Sequence, residues 1–83
     1  MKGIIYHTNI ERAMYSVQLS NGSFVVFELV DQRQLDMYTE VSGEFERYGE
    51  NEIAMNEDDK LHIHVDEYGL SEMTAFKKTF MNE

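Results

Sequence analysis

The sequence lacks cysteine, proline and tryptophan altogether among its 83 residues. Without cysteine there is no disulfide framework, no thiolate nucleophile and no thiolate metal site. Long apolar runs are also missing, so we expect neither a signal peptide nor a membrane-spanning helix. These absences favour a protein of the reducing cytoplasm that has no membrane partner.

Basic residues are scarce as well, with seven against 16 acidic residues and a formal net charge of -9. A chain of this length buries one modest core, so we expect a single domain over residues 1–83. Such a domain leaves no room for a second lobe that closes over a substrate. The length therefore argues against an enzyme with a deep cleft, unless the chain oligomerises.

The acidic residues are concentrated in one part of the chain. Residues 28–67 carry thirteen carboxylates against three basic residues, whereas residues 1–27 carry one against two. Only the first segment can face a polyanion without strong repulsion. We therefore expect polar and acidic faces that contact a protein. A further alternative is a nucleic-acid mimic, in which the carboxylates occupy a phosphate-binding site on another protein.

Alternation of apolar and polar residues predicts strands at residues 3–8, 13–19, 24–30, 40–47, 53–56 and 61–65. Asn21-Gly22 predicts a tight hairpin between the second and third strands, and residues 56–60 predict a polar turn. The alternation also separates the two faces of the strands. The residues expected to point into the core are Tyr15, Val17, Leu19, Val25, Phe27, Leu29, Val41 and Phe45. Those expected to face water are Met14, Ser16, Val26 and Glu28.

A helix is predicted after these strands, with Ser71 as its cap and an apolar stripe of Met73, Phe76 and Phe80. A helix of about a dozen residues is unstable alone in water, so it must pack on something. It either plugs one end of a barrel or offers its stripe to a partner, including a second copy of the chain in a homodimer. Short strands without crossover helices favour a mainly β fold, closed or nearly closed into a small barrel.

Several segments of the first 56 residues share a pattern with one known family. They are KGIIYHTNIERAMYSV at residues 2–17, the Asn21-Gly22 turn, Val25-Val26-Phe27-Glu28, Leu35-Asp36, Val41-Ser42 and Ile53-Ala54-Met55-Asn56. The first of these resembles the opening of bacterial cold-shock domains, whose pattern is (K/T)-G-x-V-K-W-F-N-x-x-K-G-F-G-F-I. The resemblance covers about residues 2–56 and implies a five-stranded OB-fold Greek-key barrel, to which residues 60–83 add a strand and a helix.

Cold-shock domains bind single strands by stacking bases on outward rings beside basic residues. The ring and imidazole positions of the two binding motifs hold Met14, Ser16, Val26 and Glu28 here, so most of the stacking platform is lost. The resemblance therefore implies only weak binding of single-stranded RNA or DNA, as an alternative to a protein partner. The candidate nucleic-acid-binding residues that remain are Lys2, Tyr6, His7, Arg12, Met14 and Phe24.

One cluster has the spacing of a metal site. His62, His64 and Asp66 lie at i, i+2 and i+4 on one strand face, a pattern that zinc uses, but the only other histidine is His7. The sequence therefore predicts a polar strand face, which Asp66 and Glu67 could make responsive to protonation near pH 6.5, and leaves a metal site as an alternative. There is no nucleophile elbow, phosphate loop or H-E-x-x-H motif, so we expect a non-enzyme without a cofactor.

Overall fold

Strands and one helix account for most of the computed structural model, which describes residues 1–56 and 59–81. Within these residues, no helix combines the length and apolar character needed to cross a membrane. A 3₁₀ turn at Ile10–Arg12 joins the first two strands. The elements are β1 (Lys2–Asn9), β2 (Met14–Leu19), β3 (Phe24–Leu29), β4 (Glu40–Gly43), β5 (Gly49–Asn56), β6 (Asp59–Leu70) and α1 (Glu72–Phe80).

The strands close into a barrel in the order β1-β2-β3-β6-β5-β4, with β4 pairing back onto β1. All neighbouring strands are antiparallel. The predicted mainly β barrel with one helix is confirmed, but it has six strands where five were expected. The difference is β6, which was expected as an addition to the barrel. It pairs with β3 on one side and β5 on the other, so it is part of the barrel wall.

The predicted hairpin between β2 and β3 is confirmed. Gly22 has a φ of +89°, which an L side chain adopts only with strain, and its N–H donates to the Leu19 carbonyl at 2.9 Å. The Asn21 side chain accepts from the Ser23 N–H at 3.0 Å. The predicted turn at residues 56–60 centres on residues 57 and 58, which lie outside the described residues.

The barrel interior contains all eight side chains that the alternation assigned to it. Tyr15 and Phe27 stack there with ring centroids 5.7 Å apart. The Tyr15 hydroxyl accepts a hydrogen bond from the Leu35 N–H at 3.3 Å, which ties the connection after β3 to the core. β5 and β6 complete the interior with Ile53, Leu61, Ile63 and Val65.

The outer face of β2 and β3 differs from the expectation that it faces water. Met14, Ser16 and Val26 lie outside the barrel, as their parity predicts, but they are at most 8% exposed. Helix α1 covers them, and Ala75 packs into the same apolar cluster. Of the four residues expected to face water, only Glu28 does so. The helix therefore covers a side of the barrel and does not plug its end. Apolar side chains on this face favour such a cover because they remain costly to hydrate.

The stripe that the helix turns toward the barrel is not the one that was expected to plug its end. Its buried residues are the small Ala75 and Thr79, whereas Met73, Phe76 and Phe80 are 68%, 47% and 42% exposed. Small residues let the helix backbone approach the sheet closely, which displaces the rings to the helix flank. The predicted cap is confirmed, since the Ser71 hydroxyl accepts from the Thr74 N–H at 3.3 Å.

Two polar contacts fix the C-terminal half of α1. The Asn9 side-chain amide, at the end of β1, donates to the Thr79 carbonyl at 2.9 Å. Lys78 pairs with Glu67 of β6 at 2.9 Å. One flank of the helix therefore faces β6, and its opposite flank faces β1.

Candidate functional site

A β-bulge in β1 turns two consecutive rings toward the outside of the barrel. Ile5 pairs with Val17 and both are in the core, whereas His7 pairs with Ser16 on the outer face. The register shifts between these pairs, so Tyr6 is the extra residue of the bulge. Bulges of this kind re-aim side chains next to functional sites. Here the bulge places the Tyr6 and His7 rings side by side, with centroids 5.1 Å apart.

Tyr38 extends this pair of rings from the connection that precedes β4. Its φ is +67°, in the left-handed region that bulky residues rarely adopt. The Tyr38 N–H donates to the Ile5 carbonyl at 2.6 Å, and the Ile5 N–H donates to the Thr39 carbonyl at 2.9 Å. These bonds hold Tyr38 against β1, with its ring 6.3 Å from the ring of Tyr6. Strained backbone of this kind costs about 1–3 kcal/mol and is concentrated at functional sites.

The flank of α1 completes a continuous set of rings. His7 lies 5.4 Å from Phe76 and 6.2 Å from Phe80, measured between ring centroids. We call Tyr6, His7, Tyr38, Phe76 and Phe80 the aromatic surface. Tyr6 and His7, in its centre, are half-buried, whereas Tyr38 at one edge is 68% exposed. The surface therefore has half-buried rings at its centre and exposed rings at its edges.

His7 is an uncharged part of this surface at neutral pH. Its Nδ1 lies 2.5 Å from the Oγ of Ser16, which is completely buried. Burial lowers the pKa of His7 below its ordinary value of 6.5, and the Glu72 carboxylate opposes this shift. The centre of the aromatic surface thus carries an imidazole hydrogen-bonded to a buried hydroxyl.

The lowered pKa of His7 predicts a pH dependence of stability. Below about pH 6.5 the unfolded chain binds more protons at His7 than the folded chain, so protonation favours unfolding. The stability that the folded state gains by keeping His7 uncharged is fully present above pH 6.5. It is lost as the pH falls through the pKa of His7 in the folded state. Between about pH 7 and pH 5, we expect the melting temperature of His7→Asn to fall less than that of the wild type. The exposed His64→Asn is the control, and equal losses in all three proteins would contradict the assignment.

Carboxylates border the aromatic surface at both edges. Asp36 and Glu40 flank Tyr38 in sequence and are exposed, and Glu40 pairs with Ile4 of β1. Glu72 lies one helical turn before Phe76, close enough to act on His7. This border is acidic although α1 itself carries two lysines in its last turn.

Two basic residues, Arg12 and Lys78, lie on the other flank of α1, whereas Lys2 and Lys77 are exposed elsewhere on this half of the molecule. Lys78 pairs there with Glu67 of β6. A polar groove of about 570 Å³ on the same flank is lined by both of these residues together with Arg12, Glu28 and Asp66. Opposite charges meet in this groove, which lies on the far side of the helix from Tyr38.

The structure separates the six candidate residues of the sequence analysis. Tyr6 and His7 belong to the aromatic surface, and Phe24 lies beneath them, 3% exposed. Met14 is buried under α1. Lys2 borders a cavity of about 360 Å³ with Gln18 and Glu40, whereas Arg12 lines the polar groove. The six residues therefore do not form one continuous surface.

Sequence reasoning missed one member of the aromatic surface, Tyr38, and left Phe76 and Phe80 undecided. Their stripe was expected either to plug one end of a barrel or to be offered to a partner. Tyr38 gave no signal because its left-handed backbone follows from the tertiary hydrogen bonds to Ile5. The sequence shows which aromatic residues are present, but it does not show the bulge or the strained backbone that turns their rings outward.

A second surface collects carboxylates on the outer face of β3, β6 and β5. His64 pairs with Glu28 on one side and Glu50 on the other. The Nδ1 of His62 lies 3.5 Å from Asp31 Oδ1, and its Nε2 lies 3.6 Å from Glu52 Oε2. We call these two rows the acidic face. Nucleic-acid mimicry requires clustered carboxylates of this kind. In both rows, however, a histidine lies between the carboxylates and interrupts the acidic surface.

The three residues weighed as metal ligands lie on this acidic face. His62, His64 and Asp66 all point outward from β6, and His64 Nδ1 lies 3.6 Å from Asp66 Oδ1. Over the described residues, no three histidine or carboxylate side chains are grouped closely enough to hold a metal ion. The two histidines contact carboxylates of β5, of β6 and of the connection after β3, and these carboxylates do not converge on one centre.

Comparison with protein-family models, with curated proteins and with solved structures finds no match for this chain.

Proposed function

We propose that this chain is a non-enzymatic binding module, built on an OB-like barrel, that contacts a protein partner through the aromatic surface. The observation that carries the proposal is the exposure of contiguous rings, with Tyr38 at 68%, Phe76 at 47% and Phe80 at 42%. Contiguous exposed apolar patches mark interaction sites, and aromatic residues are enriched in protein interfaces.

This surface is favoured over the polar and acidic faces expected from the sequence. Exposed charges contribute mainly to association rate and specificity, whereas buried rings supply most of the affinity of an interface. Arg33 and Lys60 already neutralise Asp59 and Glu52, respectively, on the barrel half that carries the acidic face. The backbone of β1 and of Tyr38 is moreover distorted at the aromatic surface.

The test compares a Phe76→Ser, Phe80→Ser double variant with a Tyr48→Ser control. Tyr48 is 60% exposed but lies elsewhere, beside Tyr68. Proteins cross-linked to each variant in cells that produce the chain are quantified by mass spectrometry. We expect the double variant to lose its specific partners by about tenfold or more, as expected when central interface rings are removed. Circular dichroism confirms that both variants are folded. If the wild type, the double variant and the Tyr48→Ser control all captured the same partners at the same yield, the proposal would be refuted.

Single-stranded nucleic acid is a second candidate ligand, because the same rings could stack bases. Stacking contributes about 1–3 kcal/mol per base, but it normally acts beside a basic groove. The carboxylates Asp36, Glu40 and Glu72 border the rings instead. Labelled oligonucleotides are titrated at low and moderate salt. Binding tighter than micromolar that falls steeply with salt and is lost in Tyr38→Ala would replace the protein proposal.

A further inference from the structure

We infer that the segment bound by the aromatic surface is an amphipathic helix whose apolar stripe is flanked by lysine or arginine. The inference rests on the proposed function and names the chemistry of its partner.

Exposed apolar side chains lie at two edges of the aromatic surface. One edge is formed by Met37 and Tyr38, which are 48% and 68% exposed, and the other by Met73 and Phe76, at 68% and 47%. The half-buried rings of Tyr6 and His7 lie between them. The apolar stripe of an amphipathic helix can contact both edges at once, and flexible methionines adapt to its side chains.

Exposed carboxylates outnumber exposed lysines at the two edges, where the lysines are Lys2, beside Glu40, and Lys77 on α1. Asp36 and Glu40 lie beside Tyr38, and Glu72 lies beside Phe76. Lysine or arginine on either side of the apolar stripe would meet these carboxylates. The net charge of -9 also steers cationic partners toward the molecule.

The same charges argue against a second copy of this chain as the occupant. Two copies placed with their aromatic surfaces together would bring the carboxylates of both edges into proximity, and each copy carries a net charge of -9. Like charges across an interface are unfavourable. A basic amphipathic helix removes this repulsion and still buries the rings.

The test uses three synthetic peptides of about 18 residues, which is five helical turns. The first has a leucine stripe flanked by lysine, the second has the same stripe flanked by glutamate, and the third is a scrambled version of the first. Binding to the full chain is measured by isothermal titration calorimetry. We expect the first peptide to bind at least about tenfold more tightly than the other two, and less tightly at high salt. Phe76→Ser should weaken it by about tenfold, and Tyr48→Ser should not.

Each other outcome has a defined meaning. Equal binding of the scrambled peptide would show simple charge attraction and overturn the inference. Equal binding of the glutamate peptide, lost in Phe76→Ser, would overturn the basic flanks while supporting the aromatic surface as a protein-binding site. Failure of all three peptides to bind would overturn the inference, and the cross-linking comparison would still decide the proposed function on its own.

Discussion

Replacing Phe27 with alanine is expected to remove a large part of the free energy of unfolding, more than any exposed ring of this chain would. Phe27 is completely buried in the barrel and stacks on Tyr15 at 5.7 Å. Phe→Ala changes in a core cost about 3–5 kcal/mol, because the cavity only partly closes. A domain of 83 residues has a total stability of about 4–12 kcal/mol. Urea denaturation followed by circular dichroism measures the loss.

Phe76→Ala is the matched control, since it makes the same chemical change at a side chain that is 47% exposed. We expect it to cost about 1 kcal/mol or less, because surface substitutions rarely cost more. If the two variants were equally destabilised, Phe76 would have to be part of the packing that holds α1. In that case the aromatic surface would be structural.

The interior of this barrel could be predicted from alternation alone. Tyr15, Val17 and Leu19 recur with the period of a strand, and a shift of one residue would turn all of them to the other face. The inward sets of β2 and β3 therefore follow from parity without any knowledge of strand order. The Asn21-Gly22 turn fixes how these two strands meet.

What covers the outer face could not be predicted in this way. Parity correctly placed Met14 and Val26 outside the barrel, but it contains no information about a helix that arrives from the end of the chain. The large apolar residues of α1 were expected either to plug the barrel end or to be offered to a partner, and alternation could not decide between the two. Close packing on a sheet selects small residues instead, and Ala75 and Thr79 provide them.

The candidate site depends on two local departures from regular structure. The bulge at Tyr6 breaks the period-2 pattern of β1, and the left-handed Tyr38 is held by hydrogen bonds to Ile5. Both are tertiary effects, because pairing with β2 and with the segment before β4 imposes them. Sequence periodicity alone would place only one of the adjacent residues Tyr6 and His7 on the outer face.

β5 and β6 were underestimated for a related reason. The apolar positions of β6 suggested a short strand at residues 61–65, and its charged outer residues made the flanking segments look like turns. In the structure β6 runs over Asp59–Leu70 and pairs with β3 and β5 at once. Backbone pairing on both edges extends a strand beyond its apolar positions.

Two truncations distinguish a six-stranded barrel from a five-stranded one with an added strand. Removing residues 71–83 deletes α1, and we expect the remaining barrel to stay folded with a lower melting temperature. It should bind a hydrophobic dye, because Met14, Phe24 and Val26 lose their cover. Removing residues 59–83 also deletes β6, so that β3 and β5 each lose a partner strand.

The longer truncation is expected to abolish the folded state. It removes Leu61, Ile63 and Val65, which are at most 1% exposed. Burying each such side chain contributes about 1.5–3 kcal/mol, and their combined loss is comparable with the stability of the whole domain. Far-ultraviolet circular dichroism and the dispersion of amide proton resonances report the outcome. A cooperatively folded chain of residues 1–58 would contradict this expectation. It would mean that five strands close the barrel without β6 and that the interior repacks around the three missing side chains.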